Sequence, residues 1–114
     1  MKIAIIGAGP VGLFSAICLA QDKHEIHLYE KSTLPVDKAC GEGLLHLGVT
    51  LLKKYDIDIK KTKPIRGLNF YSPKGHLKKA SFLDSTGLGI RRLHLSESLL
   101  KYVKKYPNIT LFER

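Results

Sequence analysis

Gly7, Gly9 and Gly12 stand in the spacing G-x-G-x-x-G, directly after the apolar run Ile3-Ala4-Ile5-Ile6 and directly before apolar positions recurring at Leu13, Ala16, Ile17 and Ala20. The run has the length and β-branching of a buried strand, and the recurrence is helical. Strand, glycine turn and helix in that order form a cradle for a pyrophosphate. Gly7 lets the chain turn off the strand, Gly9 removes a side chain where phosphate must approach the backbone, and Gly12 lets the helix pack against the strand. The unpaired N–H groups and positive dipole end of the helix then face the anion. Pro10 suits the first helical turn, where its missing N–H costs nothing. Glu30, followed by Lys31, lies 18 positions after Gly12 at the end of a second run, Glu25 to Glu30. That is close to the roughly 20 expected of a carboxylate that accepts ribose hydroxyls.

These residues are positioned by a strand, a helix and a second strand, and the chain then leaves that pattern. Ser32 to Gly43 reads as a loop, by its proline, glycines and small polar residues. Leu44 to Tyr55 follows as a helix, and Asp56 to Pro64 as a polar connector. Ile65 to Tyr71, the turn Ser72-Pro73-Lys74-Gly75 and His76 to Phe82 then form a hairpin inserted before the next parallel strand. Leu83 to Gly89 reads as loop. Ser96 is expected to cap a third helix with Leu99, Leu100 and Val103 as its apolar stripe. Tyr106-Pro107-Asn108 stops that helix, and Ile109 to Phe112 is a last strand, expected to join the first two in parallel.

Composition narrows the classes. The chain has 114 residues, of which 44% are hydrophobic, enough for one modest core and unlike a disordered segment. No apolar run approaches transmembrane length, and Met1-Lys2 leads straight into the first strand, so a cytoplasmic location is expected. Two cysteines form no disulfide framework. Cys18 falls inside the first helix as a small core residue, and Cys40 sits in the glycine-flanked loop. No metal site is expected: His24, His27, His76 and His94 have no partners at ligand spacing. A net charge of +9 raises a nucleic-acid or anionic-membrane partner. The lysines are spread in short groups without interleaved aromatic motifs, which makes solvated faces the better reading and nucleic acid an unlikely partner.

Two further segments, KACGEGL from Lys38 to Leu44 and GIRRLHLSESL from Gly89 to Leu99, together with the glycine fingerprint resemble the N-terminal part of FAD-dependent monooxygenases and reductases. The group is the one that includes para-hydroxybenzoate hydroxylase and the geranylgeranyl reductases. The resemblance implies an α/β domain over residues 1–114 with an incomplete Rossmann-like parallel sheet, interrupted by the 65–82 hairpin of a truncated substrate sheet. It implies FAD as cofactor, its ADP half on Gly7, Gly9, Pro10, Gly12, Glu30 and Lys31 and its flavin half beside Cys40, Gly41 and Gly43. Arg92, four residues before the expected cap at Ser96, is placed across the phosphates, with Arg91 as a surface cation. A loop that merely closes the second strand onto the helix remains the alternative for Cys40 to Gly43. NADPH or NADH would be the co-substrate of a complete enzyme, and a small or lipid-like molecule its substrate. No catalytic residue can be assigned. Family members continue well past this length with Asp-Gly and Gly-Asp motifs that this chain lacks, so a fragment or split subunit is expected. Rival readings are an NAD or adenine-nucleotide module and a basic protein for nucleic acid or an anionic membrane.

Overall fold

A computed structural model describes residues 1–83 and 85–114. The strand β1 (Lys2–Ile6), the helix α1 (Pro10–Gln21) and the strand β2 (Glu25–Glu30) run as the sequence predicts. After the insertion come α3 (Arg92–Val103) and β8 (Ile109–Glu113), and the three strands form a parallel sheet in the order β1-β2-β8. Ile3 pairs with Ile26 and Ile26 with Ile109, and Ile5 pairs with Leu28 and Leu28 with Leu111, so that period-2 alternation lines up two rows of aliphatic side chains on one face. That face packs on Leu13, Ala16, Ile17 and Ala20 of α1 and on Leu99, Leu100 and Val103 of α3. Leu13, Ile17, Ile26, Leu28, Leu99 and Val103 are fully buried. Each contributes roughly 1.5–3 kcal/mol by leaving water.

The other face is open. Ile6 is 83% exposed, and the Tyr29 and Phe112 rings stack there with centroids 4.8 Å apart.

Asn108 fastens the two ends of this unit. Its side-chain N–H groups donate to the Ala20 carbonyl at 2.9 Å and the His24 carbonyl at 2.7 Å, satisfying acceptors at the end of α1 just where β8 begins. Asn108→Ala is expected to lower stability by about 1–2 kcal/mol, the worth of its two hydrogen bonds, with the Ala20 carbonyl still accepting the Lys23 N–H at 3.0 Å. A denaturant midpoint unchanged from the parent would show that water replaces the amide without loss.

Between β2 and α3 the structure differs from the sequence expectation in several places. Gly43–Leu44 is a short strand, β3, so α2 spans His46–Lys54 rather than beginning at Leu44. The predicted connector ends in β4 (Lys63–Ile65), and Arg66 breaks it from β5 (Gly67–Tyr71). The return strand β6 is Leu77–Ser81, and β5 and β6 pair as an antiparallel hairpin. The stretch read as loop contains β7 (Gly87–Gly89), which pairs antiparallel with both β3 and β4; Asp84, in the same stretch, lies outside the described residues. Strands of two or three residues carry no period to read, and long-range pairing alone defines them. Among the described residues no helix is long and apolar enough to cross a membrane.

Candidate cofactor site

Gly7 has φ +98°, a conformation that side chains disfavour, and its N–H donates to the Tyr29 carbonyl at 2.7 Å. The chain thus leaves β1 while still joined to the end of β2. Gly12 lies against this turn: a Cβ there would come within 1.9 Å of the Gly7 carbonyl oxygen. Gly9 differs, since a Cβ on it would meet only the Arg92 Nη2, at an ordinary 3.5 Å. Gly9 is extended at the N-cap of α1, with no side-chain cap and with Pro10 in the first turn. Among the described residues, the first N–H groups of α1 therefore have no side-chain acceptor, as an anion-binding helix start requires.

Glu30 is drawn onto the same turn. Its Oε2 accepts the Ala8 N–H at 2.8 Å and its Oε1 the Ser32 N–H at 3.1 Å. The Ala8 N–H above all holds the carboxyl below its ordinary range, with the Ser32 and Lys31 N–H groups and the Lys38 ammonium adding to it against a burial cost. Each carboxylate oxygen has two lone pairs, so acceptor capacity for ribose hydroxyls remains. Because the folded pKa is depressed, the charge and its bonds persist above the unfolded value, about 4.3 for glutamate, and are lost only as pH falls through the lower folded value. FAD, whose pyrophosphate diester does not titrate in this range as the terminal phosphate of ADP does, is accordingly expected to bind with flat affinity from about pH 7 to about pH 4.5. Calorimetric titration across that range checks this, and a midpoint of loss above about pH 5 would remove Glu30 from the ribose contact.

Lys31 lines a groove with Gly7, Tyr29 and Glu30 at the carboxyl ends of β1, β2 and β8. Lys38 and Arg114 stand in the same groove. The sequence does not single out these two cations: Lys38 opens the KACGEGL segment without a spacing rule of its own, and Arg114 follows the last strand.

The second glycine loop reaches the site through Glu42. Cys40 is exposed, Gly41 has open space around it, and Gly43 begins β3. Glu42 has φ +53°, rare for a residue with a side chain. Its carbonyl accepts the Ile90 N–H at 2.9 Å, and its carboxylate accepts the Arg92 N–H at 3.3 Å. A carboxylate from a distant loop thus caps α3, next to the positive dipole end. This corrects the expected cap at Ser96, which is buried inside the helix at 3% exposure. With an external acceptor available, the helix extends back to Arg92, since no Gly or Pro interrupts Arg92-Leu93-His94-Leu95. The register argument for Arg92 therefore fails, although the residue still lies beside Gly9. Its Nε is buried and, among the described residues, has no hydrogen-bond partner. Glu42 falls inside the Cys-Gly-Glu-Gly motif, but its role depends on the tertiary approach of α3, which no local pattern encodes.

A glycine turn, an uncapped helix start and a strand-end acid on a three-stranded parallel sheet define an incomplete Rossmann-like α/β fold. The comparisons with known proteins agree with that class. The chain is 26% identical to the kynurenine 3-monooxygenase of Phaeosphaeria nodorum over 97% of this chain and 27% of that protein. It is 30% identical to the Neurospora crassa kynurenine 3-monooxygenase over 97% of this chain and 26% of that one. The chain thus spans about a quarter of the length of these curated relatives. Among solved structures, PqsL of Pseudomonas aeruginosa, described as a probable FAD-dependent monooxygenase, matches with TM-score 0.83 at 14% identity, over 99% of this chain and 33% of its own. The p-nitrophenol 4-monooxygenase PnpA of Pseudomonas putida matches with TM-score 0.83 at 19% identity, over 98% of this chain and 32% of its own. These two likenesses establish the fold. No protein-family model matches the chain.

Proposed function

We propose that residues 1–114 are the FAD-binding portion of a flavin-dependent oxidoreductase of the monooxygenase type. Gly7, Gly9, Pro10, Gly12, Glu30 and Lys31 hold the ADP half, and Cys40, Gly41 and Gly43 pass beside the flavin half. The observation that carries this reading is the buried Arg92 Nε, without an acceptor among the described residues, on a guanidinium that borders the side-chain-free space at Gly9. A phosphate oxygen there would complete a charge-assisted bond and meet the start of α1. The residues present therefore fit the cofactor. FAD supplies the redox chemistry when bound, with NADPH or NADH as co-substrate of the whole protein. The relatives' names favour oxygen insertion into an aromatic molecule over double-bond reduction, and placement beside the para-hydroxybenzoate hydroxylase group rests on the KACGEGL and GIRRLHLSESL segments.

Titration with FAD and with ADP, followed by calorimetry, tests the proposal. Both are expected to bind at one competing site, and Arg92→Ala is expected to weaken both by about tenfold, the worth of one charged hydrogen bond. Binding of NADH without FAD would replace this reading with an adenine-nucleotide module. Steeply salt-dependent binding of DNA or anionic vesicles, with no response to FAD, would replace it with a basic surface protein.

A further inference from the structure

The groove at Glu30 continues past the acid. It follows the carboxyl ends of the sheet from Gly7, after β1, through Tyr29 and Glu30 of β2 to Phe112 of β8, with a volume of about 540 Å³. Tyr29 and Phe112 are register partners on adjacent strands, and their stacked rings lie within 11° of parallel. His27, two residues back along β2, meets both rings edge-on, with centroids 6.4 Å from Tyr29 and 5.4 Å from Phe112. The pair is thus braced from behind, yet Tyr29 remains 38% and Phe112 42% exposed. The far end of the groove is also fixed. The Leu34 N–H donates to the Glu113 Oε2 at 2.8 Å and the Thr33 hydroxyl to the Arg114 carbonyl at 2.9 Å, tying the loop after β2 to the end of β8.

The strand order β1-β2-β8 gives a nucleotide in this groove a direction. Its phosphates meet the start of α1, just after β1, and its ribose hydroxyls meet Glu30 at the end of β2. The base leaves the sugar on the side away from the phosphates, which leads toward β8. A flat π system arriving there meets the Tyr29 and Phe112 rings, and stacking on an aromatic ring suits any base, since every base has a π face.

We propose that the Tyr29–Phe112 pair is the platform on which the adenine of the bound dinucleotide stacks. That assignment rests on the cofactor reading above and adds to it a contact outside the glycine turn and the acid.

The full chain is titrated with ADP, with FAD and with inorganic pyrophosphate, and the ADP complex is followed by NMR. On the parent chain, nuclear Overhauser contacts are expected from the adenine ring protons to the Tyr29 and Phe112 ring protons. These contacts decide the location without any variant. The double variant Tyr29→Leu/Phe112→Leu keeps apolar bulk and removes both rings. It is expected to weaken ADP and FAD by about tenfold or more while pyrophosphate changes by less than about twofold. Phe112→Tyr keeps the π face and is expected to hold ADP affinity within about twofold of the parent. Far-UV circular dichroism checks that the variants fold, and a purely structural role would weaken pyrophosphate together with ADP. Adenine contacts elsewhere in the chain, an unaffected double variant, or equal losses for ADP and pyrophosphate would each overturn the platform. ADP that binds the parent without touching the two rings overturns the platform alone. Failure of both ADP and FAD to bind the parent overturns the cofactor reading, and the platform with it.

Discussion

Replacing Gly12 with alanine is expected to destabilise the chain by about 3 kcal/mol, the upper part of the range for overpacking a close contact. The new Cβ would fall 1.9 Å from the Gly7 carbonyl oxygen and 3.1 Å from its carbon, and both are backbone atoms that cannot rotate away. Relief requires either lifting α1 off the sheet or reshaping the turn. Lifting α1 would loosen Leu13, Ala16 and Ile17, all of them fully buried. Reshaping the turn would disturb the Gly7 N–H bond to Tyr29 and, with it, the junction of β1 and β2. For a domain of this size the loss corresponds to a fall in melting temperature on the order of 10 °C or more. Thermal unfolding by circular dichroism measures it. A melting temperature within about 2 °C of the parent would mean that α1 can shift at little cost, and that Gly12 is not kept small by packing.

How much of this was readable beforehand differs between the two halves of the chain. The β1-α1-β2 unit announces itself because its signals are local: β-branched residues, three spaced glycines, a helical period and a terminal acid. The close approach at Gly12 and the positive φ at Gly7 are the physical content of that spacing. The second sheet is another matter. Gly43 pairs with Gly89 and Leu44 with Leu88 across more than forty positions of sequence, and a Gly-Leu-Gly strand has neither propensity nor alternation to advertise it. The start of α3 is hidden from the sequence for a related reason. Ser96 is a good capping residue by type, worth about 1 kcal/mol at an N-cap. A carboxylate delivered from Glu42 to the Arg92 N–H lets the helix start five residues earlier, with Arg91 at its N-cap and Ser96 buried in its interior. What the candidate site owes to composition and spacing is therefore the glycine turn and the strand-end acid on which ADP binding is proposed. Its link to the Cys40 to Gly43 loop depends on a tertiary contact that no local pattern encodes.

Gly9→Ala separates binding from folding, because the same substitution that is ruinous at Gly12 meets almost nothing here. The added Cβ would lie 3.5 Å from the Nη2 of Arg92, the far end of a flexible side chain, so the melting temperature is expected to stay within about 2 °C of the parent. Its methyl group would nevertheless occupy the space between the N-cap of α1 and the Arg92 guanidinium. That space is where a pyrophosphate must come closest to the backbone. Overpacking a ligand contact by one methyl costs about 1–3 kcal/mol, so ADP and FAD affinity are expected to fall by about tenfold to 100-fold together. Equal losses for the two ligands matter, since the obstruction is at the phosphates they share and not at the flavin ring. If Gly9→Ala binds FAD as tightly as the parent while remaining folded, the phosphates do not approach the backbone at Gly9. The orphaned Nε of Arg92 would then require a different partner.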